Sequence, residues 1–224
     1  MLEIADLRVF FEAPEIKNII DTTWDKVGEA LKQAQAELPQ ELAMPRRELS
    51  FHDHVKCLGY LCWLLEHNNV AGDIIEIGVW KGKSTLFMHE ICQHKRRMIS
   101  VDPMELPNQE NELRFYHERL FPQVNLVRGY SELSIERVLA FKPQTVLLHI
   151  DGGHEGRHVL TDFLLYSPTV VSGGFIVFDD YRDWQYSPEV GPAVDLLRAG
   201  GYFKNFDVIG SLPGFENSYL LQKR

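Results

Sequence analysis

The sequence predicts an α/β protein: a doubly wound, mostly parallel sheet of seven strands, with a helical extension before it. From Gly72 onward short apolar runs alternate with helical segments. Such continuously apolar strands are typical of a parallel sheet that helices cover on both faces. The last two runs, 205–210 and 217–223, are joined only by the turn SLPGFE, which predicts that the final strand is antiparallel.

The helical extension is predicted to occupy residues 1–70, and the sheet domain residues 71–224. The first helix of the extension is expected over about 15–38, where apolar residues recur at three-to-four spacing before Pro39 and Pro45. The stripe consists of Ile16, Ile20, Trp24, Val27, Leu31 and Leu38. Two interpretations stay open: the stripe covers the core of its own chain, or it contacts a second copy.

A second helix is expected after Ser50, because Ser50 and Asp53 resemble a capping box. His52 and His54 lie in its first turn and are interpreted as solvated residues rather than ligands. The strands that follow are predicted at 73–79, 97–102, 125–129, 145–151 and 174–180. The helices between and after them are predicted near 84–94, 110–120, 131–140, 155–166 and 189–199.

Composition limits the possible functions of the 224 residues. With a net charge of −9, the chain has no excess of basic residues with which to bind nucleic acid or an anionic membrane. No apolar run is long enough to span a bilayer, and the N-terminal stretch is too acidic for a signal peptide. Cys57, Cys62 and Cys92 fit no disulfide framework, so we expect small core residues and a cytoplasmic protein.

A glycine-rich turn follows the first predicted strand. It reads Glu76-Ile-Gly78-Val-Trp-Lys-Gly82-Lys-Ser84-Thr85, which matches neither a dinucleotide fingerprint nor a P-loop. A carboxylate at the strand end would repel pyrophosphate but suits a ligand that carries an amino group. S-adenosylmethionine, with its ammonium and sulfonium groups, is such a ligand.

Two later strand ends complete this predicted cofactor site. Asp102 ends the second strand, where an acid typically hydrogen-bonds ribose hydroxyls. Tyr130 and Ser131 follow the third strand, in a position to cover an adenine ring. The alternative is structural: the glycine loop is a tight turn and Asp102 a helix cap.

Three carboxylates follow the fourth and fifth strands. Asp151 lies in HIDGGH, and Asp179 and Asp180 lie in GGFIVFDDY. Because neighbouring parallel strands end at one edge of a sheet, we expect these acids to share one ion. An all-carboxylate set favours Mg²⁺, or Mn²⁺ or Ca²⁺, over zinc. Asp151 is also assigned to the cofactor site, and His154 is the candidate general base.

The segment from His154 to His158 also reads HExxH, the zinc metallopeptidase signature. That motif needs both histidines on one face of an established helix. Gly152, Gly153 and Gly156 argue against a helix there, so the peptidase is retained only as a remote alternative.

From about residue 72 to 181 the chain resembles the class I S-adenosylmethionine-dependent methyltransferases. More narrowly, it resembles the metal-dependent macrocin-type sugar O-methyltransferases and the cephalosporin-hydroxylase-like group. The matching motifs are the strand-ending acid with its glycines, the IDGxH segment and the GGxxxxDDY segment. The resemblance implies a Rossmann-like fold and S-adenosylmethionine as methyl donor. It also implies Mg²⁺ held by Asp151, Asp179 and Asp180, with His154 as base.

The acceptor is expected to be a hydroxyl of a small molecule. An aromatic and polar cluster follows the acid pair: Tyr181, Arg182, Asp183, Trp184 and Tyr186. Tyr181, Arg182 and Trp184 are the candidate substrate contacts, or the cluster is simply a packed surface loop. Two oxygens on adjacent carbons chelate a cation well, so a sugar or other natural-product diol and a catechol both stay open. A non-catalytic S-adenosylmethionine-binding or partner protein is the main alternative. A homo-oligomer through the N-terminal helices is also expected.

Overall fold

The fold is taken from a computed structural model, in which residues 4–46, 48–49 and 52–224 are described. Ser50, one half of the predicted capping box, lies outside the described residues. The helices are α1 (Ile4–Phe11), α2 (Pro14–Glu37), α3 (Lys56–His67), α4 (Lys83–Ile91), α5 (Gln109–Leu120), α6 (Ser131–Ala140), α7 (Gly156–Tyr166) and α8 (Val190–Ala199). The strands are β1 (Asp73–Ile77), β2 (Met98–Asp102), β3 (Asn125–Arg128), β4 (Thr145–Ile150), β5 (Val170–Phe178), β6 (Phe206–Leu212) and β7 (Phe215–Lys223).

The seven strands form one sheet in the order β3-β2-β1-β4-β5-β7-β6. The pairs among β1 to β5 are parallel, whereas β7 runs antiparallel to both β5 and β6. The predicted fold is therefore confirmed, including the antiparallel final strand. The chain builds outward from β1 to β3 and then returns to the other side of β1, so the strand order switches between β1 and β4. Open α/β sheets bind their ligands at such a switch point.

The helical extension packs on the sheet domain through one continuous hydrophobic core. The predicted stripe of α2 is buried at Ile20, Trp24, Val27 and Leu31, in the same cluster as residues of β1, β4 and α4. The Trp24 ring meets Phe87 of α4 edge-on at 4.9 Å. The stripe therefore covers the core of its own chain, which was one of the two open interpretations. A homo-oligomer stays a prediction.

Two features of the extension were not predicted. Helix α1 precedes α2, and its Leu7 and Phe11 are buried in the same core cluster. A short 3-10 turn, Asp53–Val55, leads into α3. Within the described part of the chain no helix combines the length and apolar character that crossing a membrane requires.

Candidate functional site

Glu76 organises the turn between β1 and α4. Its carboxylate is fully buried and accepts hydrogen bonds from the hydroxyls of Ser84 (2.6 Å), Thr85 (2.5 Å) and Ser100 (2.9 Å). These bonds tie the first turn of α4 to strands β1 and β2. A carboxylate offers about four acceptor positions, so the three hydroxyls leave Glu76 about one for a ligand. Its role in cofactor binding, like that of Ser84 and Thr85, stays a prediction.

Gly78 brings the turn after β1 into contact with the turn after β4. Its φ is 90°, and a Cβ at this position would lie 1.8 Å from the carbonyl oxygen of Asp151. Gly82, with φ 80°, would place a Cβ 2.5 Å from the Phe121 ring. Glycine is therefore required at both positions, by left-handed backbone and by close packing. The Gly78 contact joins the predicted cofactor loop to the predicted metal site.

Asp102 accepts four hydrogen bonds at the end of β2. Its oxygens take the backbone N–H groups of Val79 (2.9 Å), Trp80 (3.1 Å) and Met104 (2.7 Å), and the Gln109 side-chain amide (3.0 Å). Burial raises the pKa of Asp102, although the backbone donors oppose that shift. The carboxylate thus shapes the loops around the crevice, and its contact with a ribose stays a prediction.

Tyr130 and Ser131, expected beside an adenine ring, take part in side-chain hydrogen bonds. The Ser131 hydroxyl donates to Asp162 of α7, and the Tyr130 hydroxyl donates to Glu105. Burial raises the pKa of Asp162 to about 7, although the Ser131 bond opposes this. Asp162 was not singled out in the sequence. An acid on the inward face of a predicted helix was the available signal.

The three predicted metal ligands converge at the carboxyl ends of β4 and β5. Ile150 pairs with Phe178, so Asp151 and Asp179 leave the sheet side by side. The backbone N–H of Asp179 donates to the Ile150 carbonyl at 3.0 Å. Each pair among the three acids shares a group of potential metal ligands whose donor atoms lie within 4.8 Å of one another. The acids thus lie close together in pairs, and one ion shared by all three stays a prediction.

Three histidines surround these acids. Nε2 of His154 lies 3.8 Å from Asp151 and 3.4 Å from Asp180. His149, on β4, places Nδ1 3.7 Å from Glu76 and Nε2 4.0 Å from Asp179. His54, from the N-terminal extension, places Nε2 3.1 Å from Asp179. The six residues together are called the acid–histidine cluster: His54, His149, Asp151, His154, Asp179 and Asp180.

Two of these histidines were missed in the sequence. His54 was interpreted as solvated, yet its side chain is only 14% exposed. The position of His54 depends on how the extension packs, which local sequence does not reveal. His149 is the lone ionisable residue in the apolar run TVLLHI, and that irregularity was the available signal.

Ser187 determines which nitrogen of His154 carries a proton. Its hydroxyl lies 2.8 Å from Asp180 Oδ2 and 2.8 Å from His154 Nδ1. The single hydroxyl proton goes to the carboxylate, so Nδ1–H of His154 donates to Ser187. In the neutral ring Nε2 then holds the free lone pair, facing Asp151 and Asp180. Such a nitrogen can accept a proton, as the predicted base must.

Charge repulsion and burial perturb the groups of this cluster. Burial and the neighbouring Asp179 raise the pKa of Asp151 to about 6. Burial opposes the protonation of His149, but Glu76, Asp151 and Asp179 outweigh it and raise its pKa to about 9. Asp180 adopts a left-handed φ of 59°, a conformation that Asp takes more readily than most residues with a side chain.

The cluster fits a divalent cation. Nε2 of His54 and both ring nitrogens of His149 are buried without an aligned hydrogen-bond partner among the described residues. Unsatisfied buried groups of this kind are rare and often accompany an ion or an ordered water. Carboxylate oxygens and imidazole nitrogens are together a suitable donor set for a first-row divalent metal.

A groove of about 370 Å³ opens beside His154. It is lined by Gly152, His154, Glu155, Tyr186, Pro188 and Glu189. Of the predicted substrate residues, Tyr181 instead packs on Tyr219 at 4.5 Å, and its hydroxyl donates to Asp195. Trp184 is 65% exposed, and Arg182 is exposed as well. Tyr186, rather than these three, forms the aromatic wall of the groove.

Comparison with known proteins identifies the family. A family model described as a methyltransferase domain matches residues 75–181, which include the glycine turn, the three acids and His154. A protein of Acanthamoeba polyphaga mimivirus, uncharacterized protein R132, is 34% identical over 174 residues, covering 73% of this chain and 77% of that protein.

The chain belongs to the class I S-adenosylmethionine-dependent methyltransferases. The family prediction made from the sequence motifs is thereby confirmed. The match ends at Tyr181, so the helical extension and the segment of Ser187 lie outside it.

Solved structures share the methyltransferase fold. The O-methyltransferase NovP is 19% identical with a TM-score of 0.62, covering 90% of this chain and 99% of its own. An O-methyltransferase from Bacillus cereus in complex with S-adenosylhomocysteine is 16% identical with a TM-score of 0.60, covering 91% of each chain. CalS11, a TDP-rhamnose 3'-O-methyltransferase, is 17% identical with a TM-score of 0.57, covering 88% of this chain and 93% of its own. At these identities the likeness shows the fold.

The HExxH segment does not have the arrangement of a zinc peptidase site. His154 lies in the loop before α7, whereas the motif places both histidines on one helix. A Cβ on Gly153 would lie 2.2 Å from Nδ1 of His158, so this ring packs against the loop backbone. The geometry gives the peptidase alternative no support.

Proposed function

We propose that this methyltransferase is a metal-dependent O-methyltransferase that moves the methyl group of S-adenosylmethionine to a hydroxyl of a small molecule. The observation that carries the proposal is the acid–histidine cluster, with Nε2 of His154 facing two carboxylates beside an open groove. The Gly78–Asp151 contact supports this, because it sets the cluster directly against the glycine turn that is predicted to bind the cofactor. Donor and acceptor would therefore meet at one crevice.

His154 is the group that would remove the acceptor proton. Its Nδ1–H donates to Ser187, which in turn donates to Asp180, so the ring is held with Nε2 toward the cluster. A hydrogen bond to Asp151, together with the charges of Asp151 and Asp180, raises the pKa of His154, so these carboxylates stabilise the imidazolium once it forms. The 43% exposure of the side chain lets the proton leave to solvent after transfer.

Asp151, Asp179 and Asp180 would hold the cation, with Mg²⁺ as the ion that the resemblance implies and Mn²⁺ or Ca²⁺ as alternatives. A bound divalent cation lowers the pKa of a hydroxyl and fixes its position. The left-handed backbone of Asp180 turns its carboxylate back toward Ser187 and His154, which links the ion-binding acids to the base.

The acceptor we propose is a molecule with oxygens on adjacent carbons. Such a pair can occupy two positions on one cation and still present a hydroxyl to His154. A sugar, a glycoside or another natural-product diol fits the open groove, whose Tyr186 ring can stack on a pyranose or a catechol. CalS11, which has the same fold, methylates a nucleotide-linked sugar according to its name, and this favours the sugar.

A radiolabelled donor tests the proposal. The protein is incubated with methyl-labelled S-adenosylmethionine, Mg²⁺ and a panel of glycosides, vicinal diols and catechols. We expect a methylated product that chelator abolishes and Mg²⁺ restores. His154→Gln should lower its rate by about 10²–10⁴-fold, the usual contribution of a general base.

His158→Gln is the matched control, because this ring is outside the cluster in the described structure. The control should retain transfer, whereas a zinc peptidase would need both histidines. Binding of S-adenosylmethionine with no product from any acceptor would favour the non-catalytic alternative. The cytoplasmic location and the homo-oligomer expected from the sequence stay predictions.

A further inference from the structure

His54 brings an imidazole from outside the family-matched segment to the acid–histidine cluster. Its Nε2 lies 3.1 Å from Oδ1 of Asp179 and 3.9 Å from Oδ1 of Asp180. This nitrogen is buried, yet it has no aligned hydrogen bond in the described structure. Nε2 thus lies beside both carboxylates without donating an aligned hydrogen bond to either.

The 3.1 Å separation is the distance expected between two neighbouring ligands of one ion. Donor atoms bound at right angles to a small divalent cation, each about 2.1 Å from it, lie about 3.0 Å apart. Nε2 of His54 and oxygens of Asp179 and Asp180 all lie within 4.8 Å of one another. The three atoms are therefore close enough to share a cation.

His149 supplies an independent indication that the cluster binds a ligand. Its side chain is 1% exposed, and neither ring nitrogen has a hydrogen-bond partner among the described residues. One nitrogen lies 4.0 Å from Asp179, and the ring also groups with Asp151. A buried imidazole directed at two carboxylates without an aligned bond is a polar group suited to an ion or its bound water.

His54 is held in place by contacts on both sides. The Ser218 hydroxyl of β7 lies 3.4 Å from the His54 carbonyl and 3.4 Å from Asp179. Lys56 pairs with Asp21 of α2 at 2.9 Å and with Asp53 at 3.3 Å, which ties the Asp53–Val55 turn to the extension. The ring position is thus supported by β7 and by the helical extension.

We propose that His54 is a nitrogen ligand of the divalent cation at this cluster, so that the N-terminal extension completes the metal centre. The inference rests on the proposed function, because it concerns the same centre. An imidazole ligand added to carboxylates shifts the metal preference of a site. Mg²⁺ favours oxygen ligands, whereas Mn²⁺ and the later first-row ions also accept nitrogen. The extension would then set which metal the enzyme uses.

Metal titration without donor or acceptor tests the inference. The intact protein is titrated with Mn²⁺, following the electron paramagnetic resonance signal of the free ion, and Mg²⁺ affinity is obtained by competition. His54→Ala should weaken Mn²⁺ binding at least about tenfold and Mg²⁺ binding less, so the preference for Mn²⁺ falls. A general loss of structure would weaken both ions together.

Two further variants make the test specific. His52→Ala removes the exposed neighbouring ring, whose centroid is 5.6 Å from that of His54, and should leave both affinities unchanged. His54→Gln can still donate a hydrogen bond to Asp179 but offers no imidazole nitrogen. The His54→Gln variant should therefore also lose the preference for Mn²⁺ over Mg²⁺. If the alanine variant does not fold, the test is made with His54→Gln.

Each outcome bears on the inference. Wild-type Mn²⁺ affinity in both His54 variants, or a wild-type Mn²⁺ preference in His54→Gln, overturns it and leaves the carboxylate site of the proposed function intact. Absence of Mn²⁺ binding by the wild-type protein overturns both. Mn²⁺ binding that depends on His54, with no methylation of any acceptor, supports the inference and counts against the proposed function alone.

Discussion

Asp162 is a buried acid whose protonation is coupled to folding. Burial, aided by Glu132 and opposed by the Ser131 hydroxyl, raises its pKa from 3.8 to about 7. Between these two pH values the folded chain holds the proton and the unfolded chain does not. The free energy of unfolding contributed by Asp162 therefore falls as pH rises from about 4 to about 7.

Replacing Asp162 with asparagine should remove this pH dependence. Asparagine keeps an oxygen for the Ser131 hydroxyl and cannot ionise. Denaturant unfolding at about pH 5 and about pH 8 should show the variant gaining stability relative to wild type at the higher pH. The gain is limited to about 1.4 kcal/mol per pH unit in the window. Parallel pH dependence of the two proteins would show that Asp162 does not hold its proton in this way.

Individual site residues were predictable where they end a strand. Asp151, Asp179, Asp180 and His154 follow apolar runs, and the carboxyl ends of parallel strands meet at one edge, so their convergence follows from the sheet. Ser187 and His54 were not predictable in this way. Each reaches the cluster from an irregular segment, and only tertiary packing brings it there.

A buried ion pair fixes α5 to the segment before α3. Nζ of Lys81 lies 2.9 Å from Glu112 and donates to the Arg46 carbonyl at 2.7 Å. The other carboxylate oxygen of Glu112 accepts the Met44 backbone N–H at 2.6 Å. Both charged side chains are essentially inaccessible to solvent. This pair links the glycine turn, α5 and the extension.

Lys81→Met should destabilise the protein by about 3–5 kcal/mol, because it leaves the Glu112 carboxylate buried without its cation. Chemical denaturation measures the change. Lys204→Met, at an exposed lysine before β6, is the matched control and should stay within about 0.5 kcal/mol of wild type. Equal stability of the two variants would mean that Glu112 takes up a proton or water at no cost.

At the level of single elements, the positions of the strands and of most helices were predictable from the spacing of apolar residues and from the turn residues. Helix α2 was expected at 15–38 and runs from Pro14 to Glu37. Helix α1 was missed because its eight residues are largely apolar, so they show little of the polar–apolar contrast that marks a surface helix. The helix expected over 84–94 ends at Ile91, where Gln93 and His94 take left-handed backbone angles.

At the scale of the whole molecule, the helical extension packs into the core of the sheet domain and reaches the acid–histidine cluster. Its stripe enters the same core as β1 and β4, and its 3-10 turn delivers His54 to Asp179. The sequence predicted a seven-stranded, mostly parallel sheet because alternating strands and helices leave few topologies. The sequence did not show which surface the extension packs on, because an amphipathic stripe can cover the core of its own chain or contact a second copy.

The central claim is that the acid–histidine cluster carries the chemistry while the glycine turn binds the donor. Asp179→Asn tests it directly, through S-adenosylmethionine affinity by calorimetry and methyl transfer with Mg²⁺, both on one preparation. Asp207→Asn, on distant β6, is the control. We expect donor affinity within about threefold of wild type and a rate at least about a hundredfold lower, which corresponds to about 2.7 kcal/mol of lost cation assistance. Full transfer activity in Asp179→Asn would contradict it.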